Sequence, residues 1–287
     1  MRDDTARKSR RYLYTESGVN MSNIVDSVVF DDFEMKYIRF GKGKKTLVII
    51  PGLSVQSVIP AAAAIEKQYG IFEGDFTVYL FDRRSDLPAR YTVYDIARDT
   101  AHAMKRLGLD SVCLFGASQG GMVAQVIAAE HPELVGKLAL GSTTCRVGDA
   151  RFSVIDGWTK LAKERKTKEL YLSFGEKIYP EAVFNNFRDA FVEMAKGVTG
   201  DELERFIVLA EGMRGFDVKD KLGNIACPIL VVGDDTDAVL GADAATEIAD
   251  ALNGRADAEI LTYSSYGHAV YDTAPDFPKK LYDFFMK

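Results

Sequence analysis

Short runs of apolar, mainly β-branched or aromatic residues alternate along the chain with longer segments in which apolar residues recur every three or four positions. The first pattern is typical of buried strands and the second of amphipathic helices. Their alternation predicts an α/β protein with a mainly parallel sheet, built from strand–helix–strand units with right-handed crossovers.

Hydrophobic periodicity gives the positions of the elements. The predicted strands are 24–30, 33–40, 46–50, 76–81, 111–115, 134–140, 228–233 and 258–262. The predicted helices outside the central region are 56–69, 93–107, 120–130, 242–252 and 271–286. The first two strands lie close enough in sequence to form a hairpin-like pair.

The alternation stops between Arg146 and Gly215, where helical segments that carry aromatic residues follow one another without strands. We interpret 146–215 as a helical cap inserted into a core made of 23–145 and 216–287. Residues 1–22 are largely basic and polar, and their first twenty lack the apolar stretch of a signal peptide or membrane anchor. We expect a flexible arm there, or a start codon assigned too early.

Composition narrows the class of protein. The chain has 287 residues, 47% of them hydrophobic, which is ample for a packed core. A net charge of −6 argues against nucleic acid as a partner, and no apolar run is long enough to span a bilayer. Three cysteines, Cys113, Cys145 and Cys227, cannot all pair and favour a cytoplasmic protein. No pattern specifies an oligomeric state.

The segment Gly116–Gly121 follows a predicted buried strand and opens a predicted helix, and it reads Gly-Ala-Ser-Gln-Gly-Gly. A G-x-S-x-G turn in that context is typical of a nucleophile elbow, which lifts a serine hydroxyl above the sheet. The alternative is a glycine-rich phosphate cradle, but G-x-G-x-x-G and a P-loop lysine are both missing. We predict Ser118 as a nucleophile.

A serine hydroxyl needs a base, and the chain offers three histidines. His102 falls on the polar face of a predicted helix and His131 precedes Pro132 at a helix end, so both have structural explanations. His268 lies between the last strand and the last helix, at the sheet edge where ligands bind. We predict His268 as the base, the alternative being a loop histidine bonded to backbone.

An acid must orient that histidine, and the loop after strand 228–233 contains Asp234, Asp235 and Asp237. We favour Asp237, because the apolar residues that follow it return the chain to the core. Asp235 is the alternative, and the aspartates not used are expected to form turns.

Two backbone amides usually receive the oxyanion. We predict those of Gln119 and of Leu53, which follows strand 46–50 in a Pro-Gly turn. The alternative is an ordinary turn. Gly52, Ser54 and the cap residue Trp158 are predicted to contact substrate.

From about residue 24 to its end the chain resembles the α/β-hydrolase superfamily, in the expected order serine, acid, histidine. The stretches that carry the resemblance are Ile50-Pro51-Gly52-Leu53, Gly116–Gly121, His131-Pro132-Glu133, 225–237 and Gly267-His268-Ala269. The resemblance implies a mostly parallel eight-stranded sheet, a helical cap between the sixth and seventh core strands, and no cofactor or metal.

The sequence departs from the family at Asp82-Arg83-Arg84-Ser85-Asp86, where relatives often carry Asp-x-Arg-Gly-x-Gly, and it lacks their His-Gly after the third strand. One hypothesis is that Arg83 and Arg84 meet an acidic substrate group. The alternative is that both are solvated or bound to Asp82 and Asp86.

The predicted function is therefore a serine hydrolase that cleaves a small-molecule carboxylic ester through an acyl-enzyme. The same triad also serves amidases, aminopeptidases, thioesterases and hydrolases of carbon–carbon bonds. The alternative from another class is a non-catalytic ligand-binding protein with this fold.

Overall fold

A computed structural model describes residues 23–252 and 254–287, so the predicted arm at 1–22 lies outside the described residues. Its centre is an eight-stranded sheet with strand order β1-β2-β4-β3-β5-β6-β7-β8. The strands are β1 (Ile24–Val29), β2 (Glu34–Phe40), β3 (Lys45–Ile50), β4 (Phe76–Arg84), β5 (Val112–Ala117), β6 (Val135–Gly141), β7 (Ile229–Asp234) and β8 (Ala258–Tyr263). Strand β2 runs antiparallel to β1 and β4, and the other pairs are parallel. The predicted mostly parallel eight-stranded sheet is confirmed.

Helices cover both faces of this sheet. They are α1 (Ala62–Gln68), α2 (Val93–Arg106), α3 (Gln119–Glu130), α4 (Asp149–Lys163), α5 (Thr167–Ile178), α6 (Glu181–Lys196), α7 (Gly200–Glu211), α8 (Ala244–Ala251), α9 (Val270–Thr273) and α10 (Phe277–Met286). Within the described part of the chain, no helix has the length and apolar character needed to cross a membrane.

Helix α2 shows how the sequence sets an element's limits. Thr92 and Asp95 form a reciprocal capping box at its start, which satisfies two backbone N–H groups that lack intrahelical acceptors. Val93, Ile96 and Met104 are buried. Helix α3 differs from α2, because it is buried from Gln119 to Ala128 and so lies inside the molecule. Its first residue is therefore held firmly in place.

Helices α4 to α7 lie between β6 and β7, within the predicted insertion 146–215. Both ends of the insertion leave the core at one place, where Arg146 and Asp217 form an antiparallel bridge. Inside it, the rings of Trp158 and Phe174 lie 4.2 Å apart between centroids, and Phe206 meets Phe174 edge-on at 6.0 Å. Aromatic packing therefore holds the insertion together.

Two predicted helices are wrong in their extent. The helix predicted at 56–69 begins only at Ala62, after a short 3-10 turn, Ile59–Ala61. The preceding segment is held in another conformation by long-range bonds, since the Ser57 hydroxyl donates to Asp82 and Gln56 accepts from Tyr171. The helix predicted at 271–286 is two helices, α9 and α10, the second with proline in its first turn.

Candidate active site

Ser118 lies at a sharp turn between β5 and α3, with φ 53° and ψ −119°, a backbone conformation that residues with a side chain rarely adopt. Neighbouring glycines make the turn possible. A Cβ atom added to Gly116 would lie 2.4 Å from the Gly120 carbonyl oxygen, and one added to Gly120 would lie 2.0 Å from that of Ile50. The sequence therefore builds a nucleophile-elbow geometry in which flanking side chains do not fit.

Hydrogen bonds to the neighbouring strand β6 and to the residues just after it help to hold the Ser118 backbone in this conformation. Its amide donates to the Gly141 carbonyl at 2.8 Å, and its carbonyl accepts from the Thr143 hydroxyl at 2.7 Å. Both partners belong to the end of β6 or the residues just after it. The turn is thus fixed from the neighbouring strand, which leaves the Ser118 side chain to its other contacts.

Ser118, His268 and Asp237 form one hydrogen-bonded chain. His268 Nε2 lies 2.9 Å from Ser118 Oγ, and His268 Nδ1 lies 2.8 Å from Asp237 Oδ2. All three residues are buried. Because an ionised carboxylate only accepts hydrogen bonds, Nδ1 carries the proton and Nε2 is free to accept from the serine hydroxyl. That arrangement can raise the nucleophilicity of the hydroxyl.

The Asp237 carboxylate is kept ionised by its surroundings. Its Oδ1 accepts from the amides of Val239 and Leu240 at 2.8 and 3.0 Å. Burial by itself raises the pKa of Asp237, but His268 and these amides outweigh it and hold the pKa below its ordinary value. Asp235, the alternative acid, is exposed, and the structure brings Asp237 to the histidine.

Asp234 joins the two loops that carry Asp237 and His268, a role that the sequence analysis missed. This buried carboxylate at the end of β7 accepts from the Thr236 amide at 2.8 Å and from the Tyr266 amide at 2.9 Å. Its bonds tie the loop that carries Asp237 to the loop that carries His268. The one signal in the sequence is an aspartate that directly ends an apolar strand.

The segments that carry the predicted oxyanion donors flank Ser118. A Cβ added to Gly52 would lie 3.2 Å from Ser118 Cβ and 3.8 Å from Ser118 Oγ, so the loop after β3 passes close over the hydroxyl. Gln119 is the first residue of α3, and amides in a first helical turn have no intrahelical acceptor. Leu53 and Gln119 thus belong to two separate segments of the chain, and both segments lie next to Ser118.

A small cavity of about 30 Å³ surrounds the serine hydroxyl. It is lined by Gly52, Leu53, Ser118, Ile155, Trp158, Phe174, Ile178, Met213, Val239, His268 and Tyr271. Of the three predicted substrate contacts, Gly52 and Trp158 therefore line the cavity. Ser54 instead lines an adjoining cavity of about 480 Å³, and its hydroxyl donates to the Gln56 carbonyl. The two cavities share Leu53 and Phe174.

The two arginines of the unusual loop point to different partners. Arg83 is buried and donates to the Pro51 carbonyl, whereas Arg84 donates to the carbonyls of Asp32 and Asp86. Neither is among the residues that line the cavity around Ser118. The hypothesis that both meet an acidic substrate group is therefore wrong for this cavity, and the alternative that both are solvated is wrong for Arg83. Arg83 is not solvated because its side of the end of β4 is buried.

The other candidate groups lie elsewhere. His131 Nδ1 is 3.2 Å from Lys105 Nζ, and His102 is exposed near the Phe30 ring. Across residues 23–252 and 254–287, no group of three or more His, Cys, Asp or Glu side chains is arranged to hold a metal ion.

Comparison with known sequences finds similarity to hydrolases. A sequence model of the alpha/beta hydrolase fold matches residues 45–156. RutD of Rhizobium rhizogenes, named as a carbamate hydrolase, is 26% identical over 215 residues, which cover 70% of this chain and 79% of that protein. The human serine hydrolase BPHL is 26% identical over 162 residues, which cover 52% of this chain and 53% of that protein.

Solved structures extend the similarity to nearly the whole chain. MGS-M2, an alpha/beta hydrolase enzyme from a Medee basin deep-sea metagenome library, has a TM-score of 0.81 at 19% identity, and the match covers 91% of this chain and 97% of that one. The enol-lactonase from Burkholderia xenovorans has a TM-score of 0.74 at 19% identity and covers 91% and 100%. At these identities the likeness establishes a common fold.

Proposed function

We propose that this chain, which is similar to alpha/beta hydrolases in sequence and in fold, is a serine hydrolase that cleaves small-molecule carboxylic esters through an acyl-enzyme intermediate. One observation carries the proposal: the buried chain of contacts from Ser118 Oγ to His268, 2.9 Å, and from His268 to Asp237, 2.8 Å. A hydrolase of this family needs that chain to activate its nucleophile.

In the proposed acylation, Ser118 Oγ attacks the ester carbonyl while His268 Nε2 accepts the hydroxyl proton. The ionised Asp237 stabilises the imidazolium that results. Negative charge develops on the carbonyl oxygen, where the amides of Leu53 and Gln119 donate hydrogen bonds. The carbon–oxygen bond to the leaving group then breaks, and His268 returns its proton to the departing alcohol.

Deacylation repeats these steps with water. His268 Nε2 accepts a proton from the water, whose oxygen attacks the acyl carbonyl and forms a second tetrahedral intermediate. Its collapse breaks the bond to Ser118 Oγ, which regains a proton from His268, and the carboxylic acid leaves. The transfers between Ser118 Oγ and His268 Nε2 use two atoms that are already in contact.

The cavities bear on the kind of substrate. The cavity at the serine holds about 30 Å³, room for roughly one or two water molecules, so a substrate must displace side chains as it enters. Leu53 and Phe174 separate it from the cavity of about 480 Å³, most of whose lining is apolar. We propose that residues 146–215 act as a cap and that an apolar group of the ester occupies the larger cavity.

Carbamates are a second candidate substrate class, because RutD of Rhizobium rhizogenes is named as a carbamate hydrolase. Attack by Ser118 on a carbamate carbonyl would release the alcohol and form a carbamoyl-serine. Water would then release the carbamic acid. The same residues serve both classes, so a single assay can compare them.

The test is turnover of p-nitrophenyl esters of increasing acyl length, and of a p-nitrophenyl carbamate, by the wild type and by Ser118→Ala. Labelling with a fluorophosphonate probe runs in parallel. We expect turnover and labelling in the wild type and loss of both in the variant. A folded wild type that neither turns over nor labels would contradict the proposal and favour a non-catalytic ligand-binding protein.

We further propose a cytoplasmic protein that acts on small molecules. Cys113, Cys145 and Cys227 are all unpaired, which supports a reducing compartment. Burial raises the pKa of each thiol to about 11, so none is set up as a reactive thiolate.

A further inference from the structure

Arg83, at the end of β4, is a buried arginine next to the catalytic turn. It is 5% exposed, and its Nη2 donates to the Pro51 carbonyl at 2.7 Å and to Gln119 Oε1 at 3.1 Å. Pro51 directly precedes the Gly52–Leu53 turn over Ser118. One nitrogen atom thus joins the segments that carry the two proposed oxyanion donors.

The acceptors of this guanidinium are neutral, although a carboxylate is nearby. Asp82 accepts from Arg205, from the Ser57 hydroxyl and from the Arg83 backbone amide. Arg83 Nε has no hydrogen-bond partner among the described residues. Burying a charge without a dedicated carboxylate is costly, and an apolar side chain would fill the space at lower cost. The position therefore calls for an explanation other than stability.

The guanidinium keeps its charge in this setting. Burial lowers the pKa of Arg83, and so does nearby Arg205, while Asp82 raises it, with a result of about 10. At neutral pH the group is protonated, so both of its bonds to oxygen are strengthened by charge.

We propose that Arg83 is a positioning residue that sets the spacing between the Leu53 and Gln119 amides, an inference that rests on the proposed function. Its bond to the Pro51 carbonyl fixes the peptide before Gly52. Its bond to the Gln119 side chain fixes the residue that supplies the other amide. Oxyanion stabilisation depends on donors that are already in place before the reaction, which is what such a link provides.

Backbone packing limits how closely the loop after β3 and the start of α3 can approach each other, and so sets the lower limit of their spacing. A Cβ added to Gly120 would lie 2.5 Å from the Pro51 carbonyl oxygen, so the start of α3 already touches the loop after β3. Gln119 Nε2 also donates to the Leu209 carbonyl at 2.8 Å, which anchors the same side chain to α7 of the insertion. The contact between the start of α3 and the loop after β3 prevents these two segments from coming closer, and the bonds of Arg83 prevent them from moving apart.

The neighbouring Arg84 provides a matched control. It is the same residue type on the same strand, and its bonds to Asp32, Asp86 and Asp99 lie away from the catalytic turn. The variants are Arg83→Met, which removes both bonds, Arg83→Lys, which keeps the charge and a donor, and Arg84→Met. The readouts are kcat and KM for a p-nitrophenyl ester and the affinity for a trifluoromethyl ketone, which forms a tetrahedral adduct with the serine.

We expect Arg83→Met to lower kcat by about 100-fold and to change KM less than about threefold, because misplaced donors weaken only the transition state. Affinity for the trifluoromethyl ketone should fall by a similar factor. Arg83→Lys should lose about tenfold in kcat, since one shorter donor restores part of the link. Arg84→Met should keep kcat within about threefold of the wild type, since its contacts lie elsewhere.

Folding is checked by circular dichroism and melting temperature, and if Arg83→Met does not fold, Arg83→Lys carries the test. Losses confined to KM, or Arg83 variants whose kcat matches that of Arg84→Met, would overturn the inference while the proposed function stands. A wild type without turnover or labelling would overturn both.

Discussion

The two sides of the cavity around Ser118 are built in different ways. On the core side, Ser118, Asp237 and His268 follow β5, β7 and β8, and hydrogen bonds that involve backbone groups hold their loops in place. On the insertion side, Ile155, Trp158 and Phe174 come from α4 and α5 and line the cavity with apolar or aromatic side chains. The residues of the proposed chemistry thus lie on one side, and the residues proposed to contact substrate in the cap lie on the other.

This difference predicts how each side responds to change. Hydrogen-bond geometry at the triad tolerates shifts of only a few tenths of an ångström, so substitutions there should reduce all turnover. In the insertion, replacing one packed apolar side chain by another mainly changes the volume left for substrate. Substitutions there should therefore change which ester is preferred. Substitutions on both sides of the cavity test this difference.

The largest expected effect is on the core side, at Asp237. Asp237→Asn should lower kcat by about 10⁴-fold, because the amide no longer holds His268 in the tautomer that accepts the serine proton. Steady-state kinetics with a p-nitrophenyl ester measures this. Asp235→Asn is the matched control, since that exposed aspartate lies two positions away and should leave kcat unchanged within about twofold. Equal losses in the two variants would mean that the acid is misassigned.

The core side is also the part that the sequence made predictable. Gly116–Gly121 specifies its turn locally, because the glycines at 116 and 120 leave space that only backbone fills. The positions of His268 and Asp237 follow from strand order, since loops at the carboxyl ends of parallel strands meet at one edge. Local motifs and sheet topology together were sufficient to propose which three side chains meet.

Features that depend on distant contacts were not predictable. The segment before Ala62 has helical periodicity, yet bonds from Ser57 to Asp82 and from Tyr171 to Gln56 hold it in another form. Arg83 lies in a charged stretch of sequence that is typical of a solvated loop. Its burial depends on contacts that form only when the whole chain folds. Pairwise contacts across 25 or 115 positions of sequence leave no local pattern.

A smaller effect is expected on the insertion side, at Trp158. This indole is 3% exposed, lines the cavity and donates to the Ser173 hydroxyl at 3.1 Å. Trp158→Ala should shift the ratio of kcat/KM between octanoyl and acetyl esters by about tenfold toward octanoyl, because the space it leaves admits a few more methylene groups.

The ratio for Trp158→Ala is measured on p-nitrophenyl esters, with unfolding followed in urea to ensure that the variant is folded under assay conditions. Phe187→Ala is the control, since that aromatic residue of α6 is 58% exposed and does not line the cavity. A uniform loss for all chain lengths would mean that the insertion side also positions the chemistry.

The smallest effect concerns how the insertion is attached to the core. Glu247 of α8, 10% exposed at its side chain, pairs with Arg151 of α4, with Arg146 and, at 3.3 Å, with Lys219. Burial raises the pKa of Glu247, but these cations outweigh it and lower the pKa below its ordinary value. The stabilisation is therefore complete above the unfolded pKa and is lost as pH falls through the folded pKa.

Glu247→Gln should lower the free energy of unfolding by about 1–2 kcal/mol at pH 7, between the values typical of exposed and buried ion pairs. The difference from the wild type should shrink as pH falls from the ordinary glutamate pKa through the lowered pKa of folded Glu247, because Glu247 then becomes protonated and as neutral as the glutamine. Urea unfolding at a series of pH values measures this difference, with Glu204→Gln as control, since the Arg165–Glu204 pair spans 3.9 Å and is largely exposed.

Because Glu247 lies outside the cavity around Ser118, kcat of Glu247→Gln at pH 7 should stay within about twofold of the wild type. A loss of kcat that follows the loss of stability would mean that the chemistry depends on how firmly the insertion is held, and the contrast between the two sides would then fail.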